Sequence, residues 1–205
     1  HIIVSRYGIF VIETKNMKGW IFGNEHQKMW TQQIFKEKHT FLNPLHQNYR
    51  HTKALEEILK LNQDLVHFLS DLDMTSLTEL GNMAEMFKVV EVDGKVAAFL
   101  IAVRENKPYA SVNYKWFLDN YDKFLYVDRV VVSEDYQHMG IGRLIYNEVF
   151  NHAKSTGVDR VTAEIDIKPP NPVSLKFHEA FGFKEVGKQM VAGGKKEVSL
   201  QSVQL

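Results

Sequence analysis

Ile2-Ile-Val4 and Ile9-Phe-Val-Ile12 are β-branched runs on either side of Ser5-Arg6-Tyr7-Gly8. That pattern predicts a strand, a tight turn and a second strand. Asn16–Gly23 is polar and contains glycine, so it reads as a loop or short hairpin. Asn43-Pro44 marks a helix start, because proline is tolerated in a first turn. Leu45, Tyr49, Thr52, Leu55 and Leu59 then recur at helical spacing. Ala54–Leu69 stays helix-forming with no Gly/Pro/Ser-rich break, which puts any domain boundary inside or beside a helix near residue 60.

Beyond that helix the pattern alternates. Met74–Met86 predicts a helix. Phe87–Val92 and Lys95–Arg104 predict strands joined by an Asp93-Gly94 hairpin turn. Glu105–Lys123 reads as a long aromatic-rich connection. Phe124–Ser133 predicts a strand, Gly142–Ser155 a helix ended by Gly157, and Arg160–Ile167 another strand. Pro172–Phe181 predicts a helix capped by Gly182. Phe183–Met190 and Lys196–Gln204 predict a last hairpin around Gly193-Gly194.

Composition sharpens this picture in two places. The 205 residues carry 25 basic and 25 acidic side chains, but the balance is a cancellation. Residues 1–60 hold 9 Lys/Arg and 5 Asp/Glu, and residues 61–205 hold 16 and 20. Such asymmetry points to different partners for the two parts. The chain has no cysteine, which excludes disulfides, thiolate metal sites and a Cys nucleophile. Apolar runs fall short of the roughly 18 residues that span a membrane, so no membrane partner is expected. The start lacks the basic stretch and cleavage site of a secretory leader, and a cytoplasmic location is expected. The first residue is His1 rather than Met, which we read as a truncated or processed front.

The most informative motif is a strand, a glycine loop and a helix. Tyr126–Ser133 leads into Gln137-His-Met-Gly140-Ile-Gly142-Arg143. A Gly-containing turn at a helix N-terminus presents backbone N–H groups and the positive end of the dipole to an anion. Gly140 and Gly142 would let phosphate oxygens approach the backbone, and Arg143 would add a charged contact. Two glycines do not make the three-glycine dinucleotide fingerprint, and a Walker Lys-Ser/Thr is absent. Taken alone, the turn fits a purely structural role as well.

With Val130-Val-Val-Ser133 and Tyr136 ahead of it, this loop resembles the acetyl-CoA pyrophosphate loop of GNAT N-acetyltransferases. Asn171-Pro-Val-Ser174 followed by Phe177-His178-Glu-Ala-Phe-Gly182-Phe183 resembles the late helix of that family and its Gly-Phe exit. The resemblance covers residues 61–205. It implies an α/β (α+β) fold with a mixed, mostly antiparallel sheet flanked by helices. It also implies acetyl-CoA as co-substrate and direct attack by an amine. By that resemblance the backbone of Val130, Val131 and Val132 aligns the cofactor and polarises the carbonyl. Gln137, His138, Met139, Gly140, Ile141, Gly142 and Arg143 cradle the pyrophosphate, and Asn171 and Ser174 touch the pantetheine arm.

Glu164 is the expected base, with Asp128 on the neighbouring strand and Asp166 on the same face. The alternative is that these carboxylates are structural, paired with Arg129 or Arg160. His178 replaces the usual Tyr of the late helix, where it would protonate or hydrogen-bond the leaving sulfur. A histidine on the helix surface is the other reading. Tyr109, Tyr114, Trp116, Phe117 and Tyr121, interleaved with Asp119 and Asp122, suit either a cleft for a cationic or amphipathic amine or a packing loop over the sheet. A homodimer is left open.

The front carries Glu13-x-Lys15 at the end of a strand. In metal-dependent nucleases such a pair binds Mg²⁺ and steadies water, although alternating surface charges are common on strands. His1–Trp20, Trp30-Thr-Gln32 and Asn43-Pro-Leu-His-Gln-Asn-Tyr-Arg-His51 resemble the nuclease-related NERD domain, itself similar to restriction-endonuclease-like folds. That match covers residues 1–58. NERD sequences place an Asp just before the position of His1, and Asp64 is the first Asp here. One carboxylate is a poor Mg²⁺ site, so no nuclease activity is expected of this segment. His46 and His51, five apart, miss the i, i+4 metal spacing. Lys15, Lys18, Lys28, Lys36, Lys38, Trp20 and Trp30 remain compatible with weak nucleic-acid contact.

These observations favour an N-acetyltransferase at 61–205 carrying a partial NERD-like segment, a β-hairpin and helix, at 1–58. The alternatives are a nuclease-related, nucleic-acid-binding protein with an accessory acyl-CoA domain, and a fused chain in which neither site works.

Overall fold

The computed structural model describes residues 2–5, 8–11, 16–67 and 69–205. Strands β1 (Ile2–Ser5) and β2 (Gly8–Val11) pair antiparallel with Ser5 opposite Gly8, the register of a hairpin. Glu13 and Lys15 lie outside the described residues, as does His1. A second antiparallel sheet follows, built from β3 (Trp20–Phe22), β4 (Met29–Ile34) and β5 (Glu37–Leu42) in that order. The sequence pattern did not show β4 and β5, whose side chains are mostly exposed or half-buried and carry no strong alternation.

Helix α1 (Pro44–Asp64) starts at a buried cap. The Oδ1 of Asn43 accepts from Leu45 N at 2.9 Å, and its Nδ2 donates to the carbonyls of Asn24, Glu25 and Gln27. One side chain thus closes the helix and fixes the loop beneath it. The helix crosses the expected boundary near residue 60 without a break. Leu55, Ile58 and Asn62 form its buried stripe. Helix α2 (Met74–Met83) is capped by Asp73, whose carboxylate accepts from Ser76 N at 2.7 Å. That bond holds the Asp73 carboxyl below its ordinary range.

Strands β6 (Met86–Val92) and β7 (Lys95–Arg104) form the expected hairpin, with Asp93 and Gly94 both at positive φ. Residues 105–123 differ from the expected connection. They contain helix α3 (Val112–Asn120), capped by Ser111, with Tyr114 and Phe117 fully buried. Strand β8 (Leu125–Val132), helix α4 (Ile141–Ser155), strand β9 (Arg160–Lys168), helix α5 (Pro172–Ala180) and strands β10 (Lys184–Val191) and β11 (Lys196–Gln204) complete the chain.

The main sheet has the order β10-β11-β9-β8-β7-β6 and is antiparallel except at β8–β9. One face packs Leu55 and Ile58 of α1, Leu77 and Leu80 of α2, and Tyr114 and Phe117 of α3 onto Phe99, Ile101, Tyr126 and Leu200. The other packs Ile145, Tyr146, Val149 and Ala153 of α4 onto Leu100, Leu125, Val127, Val161 and Ala163. Each such buried aliphatic side chain contributes about 1.5–3 kcal/mol. None of the described helices is long and apolar enough to cross a membrane.

Candidate active site

Two irregularities in the sheet make the site. The parallel pairing of β8 with β9 runs only over Leu125–Val161, Tyr126–Thr162 and Val127–Ala163. Beyond it the strands part, so the β9-facing backbone of residues 128–132 is free of sheet partners on that side. The second irregularity is a bulge. Ala102 opposes Val127 and Ile101 opposes Arg129, so Asp128 is the extra residue. A bulge breaks the two-residue alternation of side chains. Val127 and Val130 pack on the α4 face, while Asp128 and Arg129 turn together toward the opposite one.

That shared direction explains a contact between sequence neighbours. Arg129 Nε donates to Asp128 Oδ2 at 2.7 Å, and both side chains are buried. Tyr109 donates its hydroxyl proton to Asp128 Oδ1. Burial pulls the Arg129 guanidinium down, but the Asp128 carboxylate more than offsets it and the net shift is upward. Of the sequence alternatives for Asp128, the pairing with Arg129 is therefore present.

Glu164 stands differently. On β9, Val161, Ala163 and Ile165 face α4, so Thr162, Glu164 and Asp166 face the other side. Glu164 Oε2 is buried with no hydrogen-bond partner, as is the Tyr126 hydroxyl. Burial pushes the Glu164 carboxyl up to about 7, the Asp128 charge adds to this, and the polar groups of Tyr126 and Asn113 oppose it. Arg160 does not pair with it. Its guanidinium donates to Ser202 and Gln204 and lies over the Tyr121 ring. Asp166 sits 3.2 Å from Lys196 Nζ, and burial raises its carboxyl against the lowering effect of that lysine.

The glycine loop lies at the open end of β8. His138 and Gly140 are at positive φ, and Gly140 begins α4. Helices α1, α2, α3 and α5 each have a side-chain cap, whereas α4 has none. Its first amides are thus left for another acceptor. A Cβ on Gly140 would meet nothing within 4 Å, so the surroundings of Gly140 on that side are open. Met139 is exposed, and Gln137 reaches back to the Val132 carbonyl at 3.4 Å. Gly142 has another reason to be glycine. A Cβ there would come within 3.1 Å of the Phe177 ring, so its absence lets α4 and α5 pack.

His178 is not on the helix surface. It is buried among Tyr146, Phe177 and Phe183. Its Nδ1 donates to the Ser174 carbonyl at 2.8 Å, and the Tyr146 hydroxyl lies 2.5 Å from Nε2. A carbonyl only accepts, so the proton sits on Nδ1 and Nε2 accepts from Tyr146. Burial lowers the imidazole pKa, which keeps it neutral. Both nitrogens are engaged in these contacts. Asn171 Oδ1 caps α5 by accepting from Ser174 N.

The family model described as Acetyltransferase (GNAT) family matches residues 49–183, about two thirds of the chain. The chain belongs to the GNAT acetyltransferase family. A second family model, the nuclease-related domain, matches residues 1–71. The two overlap across α1. An uncharacterized protein of Bacillus anthracis is 52% identical over 60 residues, covering 29% of this chain and 28% of that one. The phosphinothricin N-acetyltransferase of Streptomyces viridochromogenes is 31% identical over 108 residues, covering 52% and 51%. The chain thus spans about a quarter and about half of these curated relatives. Among solved structures it is similar to Ard1 of Thermoplasma volcanium, with a TM-score of 0.60 at 15% identity, covering 75% and 92% of the two chains. The ribosomal-protein-S18-alanine N-acetyltransferase of Escherichia coli gives 0.51 at 18%, covering 75% and 88%. These likenesses show the fold.

Within this GNAT fold, some site neighbours lay beyond the sequence reading. Tyr109 was grouped with the other aromatics of 105–123, but it alone of the five is tied to Asp128. Trp116 packs against Gly187, where a Cβ would come within 2.8 Å of the indole. The pairing of Arg129 with Asn62 and Ser70 spans 67 and 59 residues and left no local signal.

Proposed function

We propose that residues 61–205 form an acetyl-CoA-dependent N-acetyltransferase acting on a primary amine of a small molecule or peptide, with residues 1–58 as an attached NERD-like segment. The observation that carries this reading is the Glu164 carboxyl on β9, held up to about 7 beside the parting of β8 from β9, with the uncapped helix α4 following β8. The free backbone of Val130–Val132 would align the pantetheine and polarise the thioester carbonyl. The amides of residues 137–143, with Arg143, would hold the pyrophosphate.

The amine nitrogen then attacks the carbonyl carbon, the C–S bond breaks, and CoA leaves as a thiolate. Glu164, directly or through one water, takes the proton from nitrogen. Its carboxyl near 7 is matched to that task at neutral pH. Asp128 acts here by its charge on Glu164. His178 is left as a structural residue, and solvent protonates the thiolate. The acidic balance of 61–205 favours a cationic acceptor.

The test is thiol release from acetyl-CoA with phosphinothricin, spermidine and an alanine-terminated peptide as acceptors. Acceptor-dependent release with at least one, abolished by Glu164→Gln, is expected. Release that ignores every acceptor contradicts the reading. The front segment exposes Trp20, Lys18, Lys28, Lys36 and Lys38, which keeps weak nucleic-acid contact as a further expectation.

A further inference from the structure

The chain between α1 and α2 is fastened to both strands that flank the opening. On the β8 side Arg129 Nη1 donates to Asn62 Oδ1 at 2.7 Å and Nη2 donates to Ser70 Oγ at 3.0 Å. Asn62 Nδ2 in turn donates to the Ser70 carbonyl at 3.1 Å. On the β9 side Lys196 Nζ donates to the His67 carbonyl at 2.8 Å and pairs with Asp166. Glu164 shares a strand face with Asp166. Ser70 and His67 are therefore tied to side chains on the sheet face that carries Glu164.

Arg129 is 5% exposed and spends its donors on three different pieces of the molecule: β8, the end of α1, and Ser70. The fork geometry of a guanidinium serves all three at once, and a lysine ammonium does not. A buried arginine without such partners is costly, so this one is built in. It is there because the bulge at Asp128 turns residue 129 to this face.

We propose that Arg129 is a positioning residue for the amine acceptor: it fixes Ser70 and the end of α1 against the Asp128 bulge, on the face that carries Glu164, and so sets how the amine reaches Glu164. This rests on the acetyltransferase reading above. The side-chain partners of Arg129 are Asp128, Asn62 and Ser70, none of them in the glycine loop, so its substitution is expected to affect acceptor binding and leave acetyl-CoA binding alone.

The test uses the full chain, acetyl-CoA, and the best acceptor among phosphinothricin, spermidine and an alanine-terminated peptide. Arg129→Lys keeps the charge beside Asp128 but loses the reach to Asn62 and Ser70. It is expected to raise the acceptor KM about tenfold, with kcat and the acetyl-CoA KM changed less than about twofold. Ser70→Ala is expected to move the same constant in the same direction. Arg129→Met should in addition shift the acidic limb of the pH–rate profile upward, because the Asp128 charge beside Glu164 is no longer balanced. Tyr109, Tyr126 and Tyr146 near Glu164 stay neutral in that range, and Asp166 on the same strand face is paired with Lys196, which the substitution leaves in place. Should Arg129→Met fail to fold, Arg129→Lys and Ser70→Ala decide. An unchanged acceptor KM in both, with the unaltered protein active, overturns this inference alone. Failure of the unaltered protein to bind acetyl-CoA overturns the acetyltransferase reading and this with it. Binding without transfer to any of the three acceptors overturns the inference together with the acceptor class.

Discussion

The Tyr146 hydroxyl on α4 lies 2.5 Å from Nε2 of His178 on α5, inside a cluster of phenylalanines. This buried bond joins the helix that opens on the glycine loop to the helix that closes the far side of the fold. It also fixes the imidazole as a neutral acceptor. His178→Phe is therefore expected to lose stability, by about 1–3 kcal/mol, since Tyr146 is left with a buried unpaired hydroxyl. The double variant with Tyr146→Phe should recover part of that loss. The pH dependence has a definite sign. The folded imidazole titrates below its unfolded value near 6.5, so its contribution is present above that value and lost as pH falls through it. Thermal unfolding of the four proteins at pH 5 and pH 8 checks both statements. A His178→Phe protein of full stability and reduced turnover would restore the catalytic role.

Gly142 meets the Phe177 ring across the α4–α5 contact. Alanine is the better helix former by about 1 kcal/mol, but the ring it would push is held by Tyr146, His178 and Phe181. Crowding of this kind costs about 1–3 kcal/mol. Gly142→Ala is expected to lower Tm by a few degrees, and Phe177→Leu to relieve it. Denaturation of the two single variants and the pair gives the answer. A stabilised Gly142→Ala protein would show that the glycine answers to the ligand alone.

Burial and the Asp128 charge push the Glu164 carboxyl up to about 7, against the opposing hydrogen bonds of Tyr126 and Asn113. As a base it works when ionised, so kcat/KM should rise with pH and level off above about 7. Glu164→Gln should lower kcat/KM about 100-fold. The same shift has a consequence for stability. The folded carboxyl holds its proton up to about 7, the unfolded one only to about 4.5. Stability therefore falls as pH rises between these values, by at most about 3 kcal/mol. Glu164→Gln should thus be more stable than the unaltered protein at pH 8 and indistinguishable at pH 4. Equal stabilities at both pH values would contradict the burial of that charge.

Elements with a strong period were legible in the sequence. The β6–β7 hairpin, the strand–loop–helix from Tyr126, and the Gly182 exit are each set by local turn chemistry and alternation. Helix α3 was legible too, since Ser111 is a good N-cap and Tyr114, Phe117, Leu118 and Tyr121 fall at helical spacing; the run of aromatics and polar residues around them masked that stripe. The bulge at Asp128 is invisible in the sequence, since its cause is the register against Ile101 and Ala102. Without the bulge, Asp128 and Arg129 would be assigned to opposite faces. His178 was expected at a surface or at the leaving group. Its burial depends on Tyr146, 32 residues away.

Acetyl-CoA is proposed to bind at the uncapped amides that follow Gly140 and along the parting of β8 from β9. Calorimetric titration of the full chain with acetyl-CoA tests this most directly, beside Gly140→Val. That substitution fills the open space and strains a backbone held at φ +82°. One-to-one binding is expected, weakened at least tenfold in the variant while the fold, followed by circular dichroism, persists. No heat of binding in the unaltered protein, or equal affinity in both, would contradict it.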